Sequence, residues 1–479
     1  MVRRRQTQLT IAQVVLFGLV VPEVEQLMVA WLREVDRALN DDDLVDDVLA
    51  ILRRRWPQSS RRGRHGTPAE TVLRMLALKH LMDWSYDELE REVTGSLVYR
   101  RFSRIDAGKV PDAKTMVRLG QLLDGGVLKS LLERLVAIAH EAGVTKGRKL
   151  RVDTTVVEAP IHHPTDSGMC EDAVRVLSRA IRRLRAAGVD VGFHFRNVHR
   201  SVSRRMREIA QGLRRRGERA KRAIKKPYRR LLRITGRLAR QAHRAAEAAR
   251  QQSKRMRGRT RKRVDRLVAH IQTMLPRVRQ VIRQTRGRVL RGETRTPGKI
   301  VSLFEPWAQI IRKGKLHQPT EFGACVKVQE ADGGIVTDVV VDDARADASL
   351  LVPAVEHHIR LFGRAPRLVA TDRGFYSGHG EQRIVELGVL RPVLPRPGYR
   401  LPKRILYERQ RWFRRGRAWR AGGEARISRL KHVFGMKRSR YRGRHGLDRS
   451  IYWAAIANNL VAIGRHPRPP PSAACQGGR

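Results

Sequence analysis

Apolar positions in the first 145 residues recur with the period of an α-helix. Thr67-Pro68-Ala69-Glu70 is typical of a helix start, with Thr at the N-cap and Glu closing a capping box. A second box, Ser85-Tyr86-Asp87-Glu88, opens a shorter helix, and a third helix is predicted after Val110-Pro111-Asp112. These helices, with Tyr99-Arg100-Arg101-Phe102 between them, fit a DNA-binding helix-turn-helix or a bundle that only packs. We assign residues 1–145 to a helical domain for DNA binding or dimerisation.

Extended segments begin near residue 147, where the apolar period changes. Leu150, Val152 and Val156 alternate along one side of a predicted strand, which turns Asp153 to the other side. Further strands are predicted at Phe322 to Gln329, at Ile335 to Val341 after a hairpin turn at Ala331-Asp332-Gly333-Gly334, and at Leu368 to Thr371. Helices are predicted at about 347–362, at 420–436 and at 447–463. We expect an α/β core with one mixed sheet and flanking helices, built from residues 146–170 and 315–465.

Residues 171–314 are predicted to interrupt this core as a long helical insertion. Residues 201–290 contain 31 Lys and Arg against 4 Asp and Glu. A heptad-like seam runs through the segment at Val264, Val268, Ile271, Leu275, Val278 and Ile282. Pro276 lies inside this pattern and is expected to kink or divide the helix. The pattern predicts a helical hairpin whose basic outer face contacts a phosphate backbone.

The whole chain has 479 residues, a formal net charge of +54 and 41% apolar residues. This apolar fraction argues against full disorder, and the charge implies a polyanionic partner, first of all nucleic acid. A membrane surface is the weaker alternative, because the best apolar run, Val14 to Val21, is too short to cross a bilayer. No cleavage site of a signal peptide follows that run, so we interpret it as a first helix or strand. Residues 466–479 are rich in proline and are predicted to be a disordered tail.

The three cysteines show no CxxC or Cys/His zinc spacing, which indicates a reducing compartment. Phosphodiester chemistry on DNA instead points to carboxylates, because two divalent cations held by a few carboxylates can activate one oxygen and stabilise another. Asp153 lies within the first strand, and Asp372 follows a buried strand, where open α/β sheets bind ligands. Glu424 is expected to begin a helix after Gly422-Gly423.

Other carboxylates compete for these roles. Glu386 and Glu408 remain alternatives to Glu424 as the third acidic residue. Asp342 and Asp343 also end a strand, and we interpret them as carboxylates at the start of the next helix.

Three sequence motifs resemble those of the DDE transposases of bacterial insertion sequences, in the IS-four and IS-five groups. They are Arg-Val-Asp-Thr-Thr-Val-Val-Glu around Asp153, Ala-Thr-Asp-Arg-Gly-Phe-Tyr around Asp372, and Arg420-x3-Glu424-x6-Lys431. The resemblance covers most of residues 60–465. It implies an RNase H-like core in which the first strand carries Asp153, the fourth strand carries Asp372 and a late helix carries Glu424. It also implies a two-metal Mg²⁺ site on these residues, with Mn²⁺ as a substitute.

The same resemblance implies the partners. Arg420 and Lys431 match positions that contact DNA in the family, and we include Arg417 and Arg373 as further DNA-binding residues. Double-stranded DNA is expected as element ends and as target, handled by a homodimer in the cytoplasm at the bacterial nucleoid, without a membrane.

The chain departs from the family in two ways. Arg417 stands where relatives often have Tyr, which leaves the route of second-strand cleavage open. The long insertion lies between the first and second Asp, whereas several relatives have theirs between the second Asp and the Glu.

Some aromatic residues allow two interpretations. His162 and His163 follow the first strand, but neighbouring strand residues point in opposite directions, so we favour a loop role over a metal site. Trp412 and Trp419 fit stacking on an unpaired base or core packing.

The function predicted from the sequence is Mg²⁺-dependent cleavage at insertion-sequence ends and strand transfer into target DNA. The alternatives are a non-catalytic DNA-binding or architectural protein, including a decayed transposase, and an RNase H-like nuclease that cuts without joining.

Overall fold

The computed structural model describes residues 4, 24, 26–55, 66–105, 108–214, 217–312, 320–342 and 346–466. The chain divides into two compact units. Unit 1 runs up to Glu158 and resumes at Ala324, and unit 2 comprises Ala159 to Gly323. The predicted first element at Val14 to Val21 and the tail beyond His466 lie outside the described residues.

Unit 1 opens with helices that pack as a bundle. They are α1 (Ala30–Ala38), α2 (Asp42–Arg55), α3 (Ala69–Leu81), α4 (Tyr86–Gly95), α5 (Leu97–Phe102), α6 (Ala113–Gly120) and α7 (Gly125–Glu141). Every residue of α3 is buried, so this helix has no face free for DNA. The Ser85 capping box and the start of α6 after Asp112 are confirmed. The prediction of Thr67 as an N-cap was wrong, because Pro68 keeps an extended backbone and α3 starts after it.

The strands are β1 (Lys149–Glu158), β2 (Gln309–Ile311), β3 (Glu321–Ala331), β4 (Val336–Asp342), β5 (Leu368–Thr371) and β6 (Arg391–Val393). In unit 1 they follow the order β3–β1–β5–β6, and β4 pairs with β3. β3 and β4 form the predicted antiparallel hairpin, while β1, β5 and β6 are parallel. Gly333 in the hairpin turn has φ 76°, and a Cβ there would overlap the carbonyl of Val144. The described chain is mostly helical with one mixed sheet, which is compatible with an α/β fold.

The register of two parallel strands brings together residues that are far apart in the sequence. Val152 on β1 pairs with Thr371 on β5. The next residues along the two strands are Asp153 and Asp372. Parallel neighbouring strands therefore bring these two aspartates side by side.

The remaining helices of unit 1 are α12 (Leu351–Phe362), α13 (Gly378–Glu386), α14 (Pro402–Arg409), α15 (Arg411–His432) and α16 (Arg444–Gly464). Helix α15 runs unbroken through Gly422 and Gly423, so the prediction that a helix begins there was wrong. A Cβ at Gly422 would lie 2.9 Å from Nη1 of Arg151. The two glycines therefore let α15 pass close to a β1 side chain, and this packing offsets their low helix propensity.

Unit 2 is helical. It contains α8 (Asp166–Arg185), α9 (His199–Arg214), α10 (Glu218–Ser253) and α11 (Gly258–Thr285), and a π-helical turn, Arg286–Arg291, follows α11. β2 pairs with the first three residues of β3, which belong to this unit. The predicted apolar seam is buried from Val264 to Val278, and Ile282 is partly buried against the same core.

Pro276 does not divide α11, contrary to the prediction. Its neighbours in the seam, Leu275 and Val278, are buried, and Pro276 itself faces solvent. Burial of the seam offsets the hydrogen bond that the proline removes, a loss of about 3 kcal/mol in a helix interior. Across the described residues, none of the helices combines the length and apolarity needed to span a bilayer.

Buried His358 is expected to make the stability of unit 1 depend on pH. This residue of α12 is fully buried, and its Nε2 lies 2.9 Å from the carbonyl oxygen of Gly147. Burial lowers its pKa from 6.5 to about 4. The unfolded chain binds a proton at higher pH than the folded chain, so the free energy of unfolding should fall as pH drops from 6.5 towards 4. We expect a loss on the order of 3 kcal/mol from this group, measured by urea unfolding at a series of pH values.

The variant His358→Gln is the matched control, because Gln keeps a donor for the Gly147 carbonyl and does not titrate in this range. Its unfolding free energy should depend less steeply on pH between 6.5 and 4. Equal slopes for the two proteins would contradict this account of His358.

Candidate active site

A single guanidinium contacts all three of the carboxylates singled out from the sequence. Nη2 of Arg420 lies 3.0 Å from Oδ2 of Asp153 and 3.8 Å from Oδ2 of Asp372. Nη1 of Arg420 lies 3.4 Å from Oε1 of Glu424. We call Asp153, Asp372, Glu424 and Arg420 the carboxylate cluster.

Each carboxylate of the cluster is oriented by its own element. Asp153 on β1 accepts a hydrogen bond from the backbone N–H of Thr154. Asp372 follows β5 directly and accepts one from the backbone N–H of Arg373. Glu424 lies one turn after Arg420 on α15, which is the spacing at which helical side chains meet.

The cluster opens to solvent on one side. The Asp153 side chain is 20% exposed, whereas those of Asp372 and Glu424 are 57% and 72% exposed. A ligand can therefore reach the cluster past Asp372 and Glu424 without any change of the fold.

The cluster has an excess of negative charge. Three carboxylates meet one guanidinium, so two negative charges are left over within the group. Arg420 Nε is buried and has no hydrogen-bond partner among the described residues. An excess of this sign attracts a further cation.

A buried ion-pair network holds α15 against the sheet. Glu330 of β3 is almost inaccessible, with a side chain that is 3% exposed. Arg151 donates to both of its carboxylate oxygens, at 2.8 and 2.7 Å, and Arg426 of α15 donates to Oε1 at 3.1 Å. Arg426 also donates to Asn458 of α16 at 2.8 Å. One carboxylate thus connects β1, β3 and α15, the first and last of which carry Asp153 and Glu424.

Trp419 belongs to this support. Its carbonyl oxygen accepts from Nη1 of Arg151 at 2.7 Å, and the Arg151 guanidinium lies 4.9 Å from the centre of its ring. Trp412 packs edge-on against Tyr407 and Phe413. The sequence allowed either stacking on an unpaired base or packing for these tryptophans. In the structure both pack against side chains of the protein.

Sequence reasoning missed Glu330, Arg151 and Arg426. Two signals were present in the sequence. Arg151 is a charged residue two positions before Asp153 and so lies on the same face of the strand. Glu330 is a charged residue near the end of a largely apolar strand. Neither signal identifies the partner, since the pairing joins residues 179 and 96 positions apart.

Two of the alternative acidic residues, Glu386 and Glu408, pair with arginines outside the cluster. Glu408 binds Arg400 and Arg404. Burial alone would raise the pKa of Glu408, but its hydrogen bonds outweigh burial and lower that pKa. Glu386 pairs with Arg383 on the surface of α13. Asp342 ends β4, which pairs with β3, and Asp343 lies outside the described residues.

The residues predicted to bind DNA differ in accessibility. Arg417 on α15 and Arg373 after β5 are exposed, and Lys431 near the end of α15 is half-buried. Arg420 is occupied by the carboxylates. In unit 2, Nε2 of His162 lies 3.5 Å from Oδ2 of Asp172 on α8. His162 therefore contacts the helix that follows its loop.

The donor atoms of the cluster fit a hard divalent cation, because all are carboxylate oxygens. In the described part of the chain, however, no group of three or more His, Cys, Asp or Glu is arranged closely enough to hold a metal ion as it stands. The carboxylates surround Arg420 instead, so a metal ion would compete with this guanidinium for the same oxygens.

Comparison with known proteins gives a match to a family model. Residues 28–122, about a fifth of the chain, match a family model described as Transposase domain (DUF772). The match covers helices of unit 1 that precede β1 and does not include the carboxylate cluster. It supports a transposase, a DNA-processing enzyme of mobile elements. No curated protein matches the chain, and no solved structure does either.

Loss of the Glu330 carboxylate should destabilise unit 1. The variant Glu330→Gln leaves Arg151 and Arg426 without their shared counter-charge in a buried site, which typically costs about 3–5 kcal/mol. Thermal or urea unfolding measures this loss directly. The control is Glu386→Gln, which breaks an exposed pair with Arg383 and should cost at most about 1 kcal/mol. A Glu330→Gln protein as stable as this control would show that the network does not hold α15.

Proposed function

We propose that this protein is a DDE transposase of the insertion-sequence type, related to the IS-four and IS-five groups, with an RNase H-like core in unit 1. The observation that carries the proposal is the contact of Arg420 with Asp153, Asp372 and Glu424. These residues occupy the motif positions of the family, and the match of residues 28–122 to a transposase domain supports the same function independently.

The order of the sheet supports the proposed core. Counting the strands of unit 1 along the chain, Asp153 lies on the first, Asp372 follows the fourth, and Glu424 lies on a late helix. This is the distribution that the resemblance implies. The parallel register of β1 and β5 accounts for the approach of the two aspartates.

Asp153, Asp372 and Glu424 would hold Mg²⁺, or Mn²⁺ in its place. Two such ions, when bound, supply activation of the attacking oxygen and stabilisation of the leaving oxygen in phosphodiester cleavage. Before metal ions bind, Arg420 neutralises part of the carboxylate charge. Its i, i+4 relation to Glu424 keeps it near the site after displacement, where it can face a DNA phosphate.

The proposed reaction has two displacements at phosphorus. Water attacks a phosphodiester at the element end, its oxygen stays on the 5′-phosphate, and the 3′-oxygen leaves and takes up a proton. The 3′-OH then attacks a phosphodiester of target DNA and loses its proton as the new P–O bond forms, while the target 3′-oxygen leaves and takes up a proton. Exposed Arg417 and Arg373 are suited to contact the phosphates on either side of the reacting group.

The partner in this proposal is double-stranded DNA. Reaction at two element ends calls for two active sites acting together, so we propose a homodimer on DNA. The transposase domain match favours transposition over a nuclease that cuts without joining.

The direct test is cleavage of DNA that carries the flanks of the gene, with Mg²⁺ present. We expect nicks at a defined boundary for the unmodified protein. Asp372→Asn should reduce their rate by at least about 100-fold, because it removes a charged ligand at the reacting centre, while DNA binding persists. The matched control is Glu386→Gln, a carboxylate outside the cluster, which should cleave normally.

Tight DNA binding without a metal-dependent nick from any of these proteins would argue against catalysis and favour a DNA-binding protein. Nicks without any joined product would favour the nuclease.

The competition at Arg420 has a test that needs no cleavage. Arg420→Gln removes the guanidinium that contacts all three carboxylates, so Mg²⁺ should bind them more tightly. Ligand binding to the folded state raises the melting temperature. We expect Mg²⁺ at millimolar concentration to raise the melting temperature of Arg420→Gln by about 2 °C more than that of the unmodified protein.

The double variant Arg420→Gln with Asp153→Asn should lose this extra shift, because one of the metal-binding carboxylates is gone. Equal shifts in all three proteins would mean that Mg²⁺ acts elsewhere on the chain.

A further inference from the structure

Unit 2 contains a groove lined by arginines. It has a volume of about 680 Å³ and lies along α10 and the end of α11. The residues that line it are Arg229, Leu232, Arg233, Gly236, Ala239, Arg240, His243, Arg244, Arg279, Ile282, Arg286 and Leu290. Six of these are arginines, and none of the described residues that line the groove is acidic.

The arginines of the groove are exposed and lack counter-charges. Arg229, Arg233, Arg240 and Arg244 follow one another at steps of four, seven and four, which puts them on one face of α10. None of the six arginines makes an ion pair with another described residue. This contrasts with unit 1, where Arg74, Arg134 and Arg404 all bind carboxylates. So many unpaired charges in one groove repel one another unless an anion binds there.

Small residues create the groove. Gly236 and Ala239 lie between the arginines of α10, and a Cβ at Gly236 would meet only the Arg240 side chain, at 4.0 Å. The floor is apolar, formed by Leu232, Ile282 and Leu290. Basic walls over an apolar floor suit a ligand that presents phosphates beside less polar groups, such as the sugars of a nucleic acid.

The length of the groove favours a polymer. Arg229 and Arg244 are 15 residues apart, which is about 22 Å along a helix. A DNA strand rises about 3.4 Å per nucleotide along the duplex axis, so this row is several times longer than one nucleotide step. A ligand with a single phosphate would engage only a part of it.

We propose that the Arg229–Arg244 face of α10, with Arg279 and Arg286, is a binding groove for the sugar-phosphate backbone of DNA. The identification of DNA as the ligand rests on the proposed function. The proposal adds which side chains of the insertion would contact it. The contacts are to the backbone and make no distinction of sequence.

The test compares two double variants with equal loss of charge. Arg233→Gln with Arg240→Gln removes two groove arginines, and Arg230→Gln with Arg237→Gln removes two exposed arginines of the same helix outside the groove. Binding of a duplex of unrelated sequence is measured over a range of salt concentrations. The groove variant should lose on the order of 50-fold in affinity at 0.1 M salt, and the salt slope should fall by about 2. The control variant should lose far less.

A variant without charge change tests the shape of the groove. Gly236→Phe adds a large side chain to open space, and it should weaken binding of the duplex by about tenfold or more through steric exclusion. Ala223→Phe, at an exposed position of α10 outside the groove, should bind normally. Helix content by circular dichroism checks that all variants fold.

Equal losses for both double variants would overturn the proposal, since they would indicate diffuse binding over the basic surface. An RNA duplex of the same sequence is measured alongside, and a groove variant that loses affinity for the RNA but keeps its affinity for the DNA would overturn the proposal as well. The binding measurement does not depend on cleavage. If the groove variants bind normally, the nicking test of Asp372→Asn is unaffected. If the protein proves inactive in cleavage, the binding test of the groove is still valid.

Discussion

The buried carboxylate of Glu330 is the interaction on which the arrangement of unit 1 depends. Arg151 from β1 and Arg426 from α15 both donate hydrogen bonds to it. A neutral side chain at position 330 would not balance the charges of these two arginines. Burial of an ion pair is costly unless its geometry is good, so such a network is more informative about position than about stability. It fixes the helix that carries Glu424 against the strand that carries Asp153.

The carboxylate cluster is a consequence of that placement. Two aspartates become neighbours through the parallel register of β1 and β5, and the glutamate approaches because Gly422 lets the helix pass over Arg151. Like charges so close together would repel, and Arg420 relieves the repulsion from within the same helix. The guanidinium occupies the place where a divalent cation would have the same electrostatic effect. Arg420 thus neutralises part of this charge within the fold, and its exchange for Mg²⁺ stays a proposal.

Several arginines of unit 1 and the groove arginines of unit 2 have opposite surroundings. In unit 1 the guanidinium groups of Arg151, Arg404 and Arg426 are bound to carboxylates inside the fold. In unit 2 an apolar seam supplies the cohesion, and the groove arginines remain exposed without acidic partners. A large apolar core does not need the groove arginines as partners, so their charges stay available at the surface, and burial of that core helps a segment so rich in positive charge to fold compactly.

The sequence alone determined several of the elements. The hairpin at Gly333, the capping box at Ser85, the buried strand before Asp372 and the seam of α11 all follow from local patterns, because caps, turns and periodicity act over a few residues. The resemblance to DDE transposases also identified the carboxylates, and their assignment to metal chemistry stays a prediction. Only the tertiary structure decided that α15 continues through Gly422, that Pro276 is tolerated, that Trp419 packs against Arg151 and that Arg420 meets three carboxylates at once. These outcomes depend on contacts between residues far apart in the chain, and a local pattern carries no information about which distant side chain will be there.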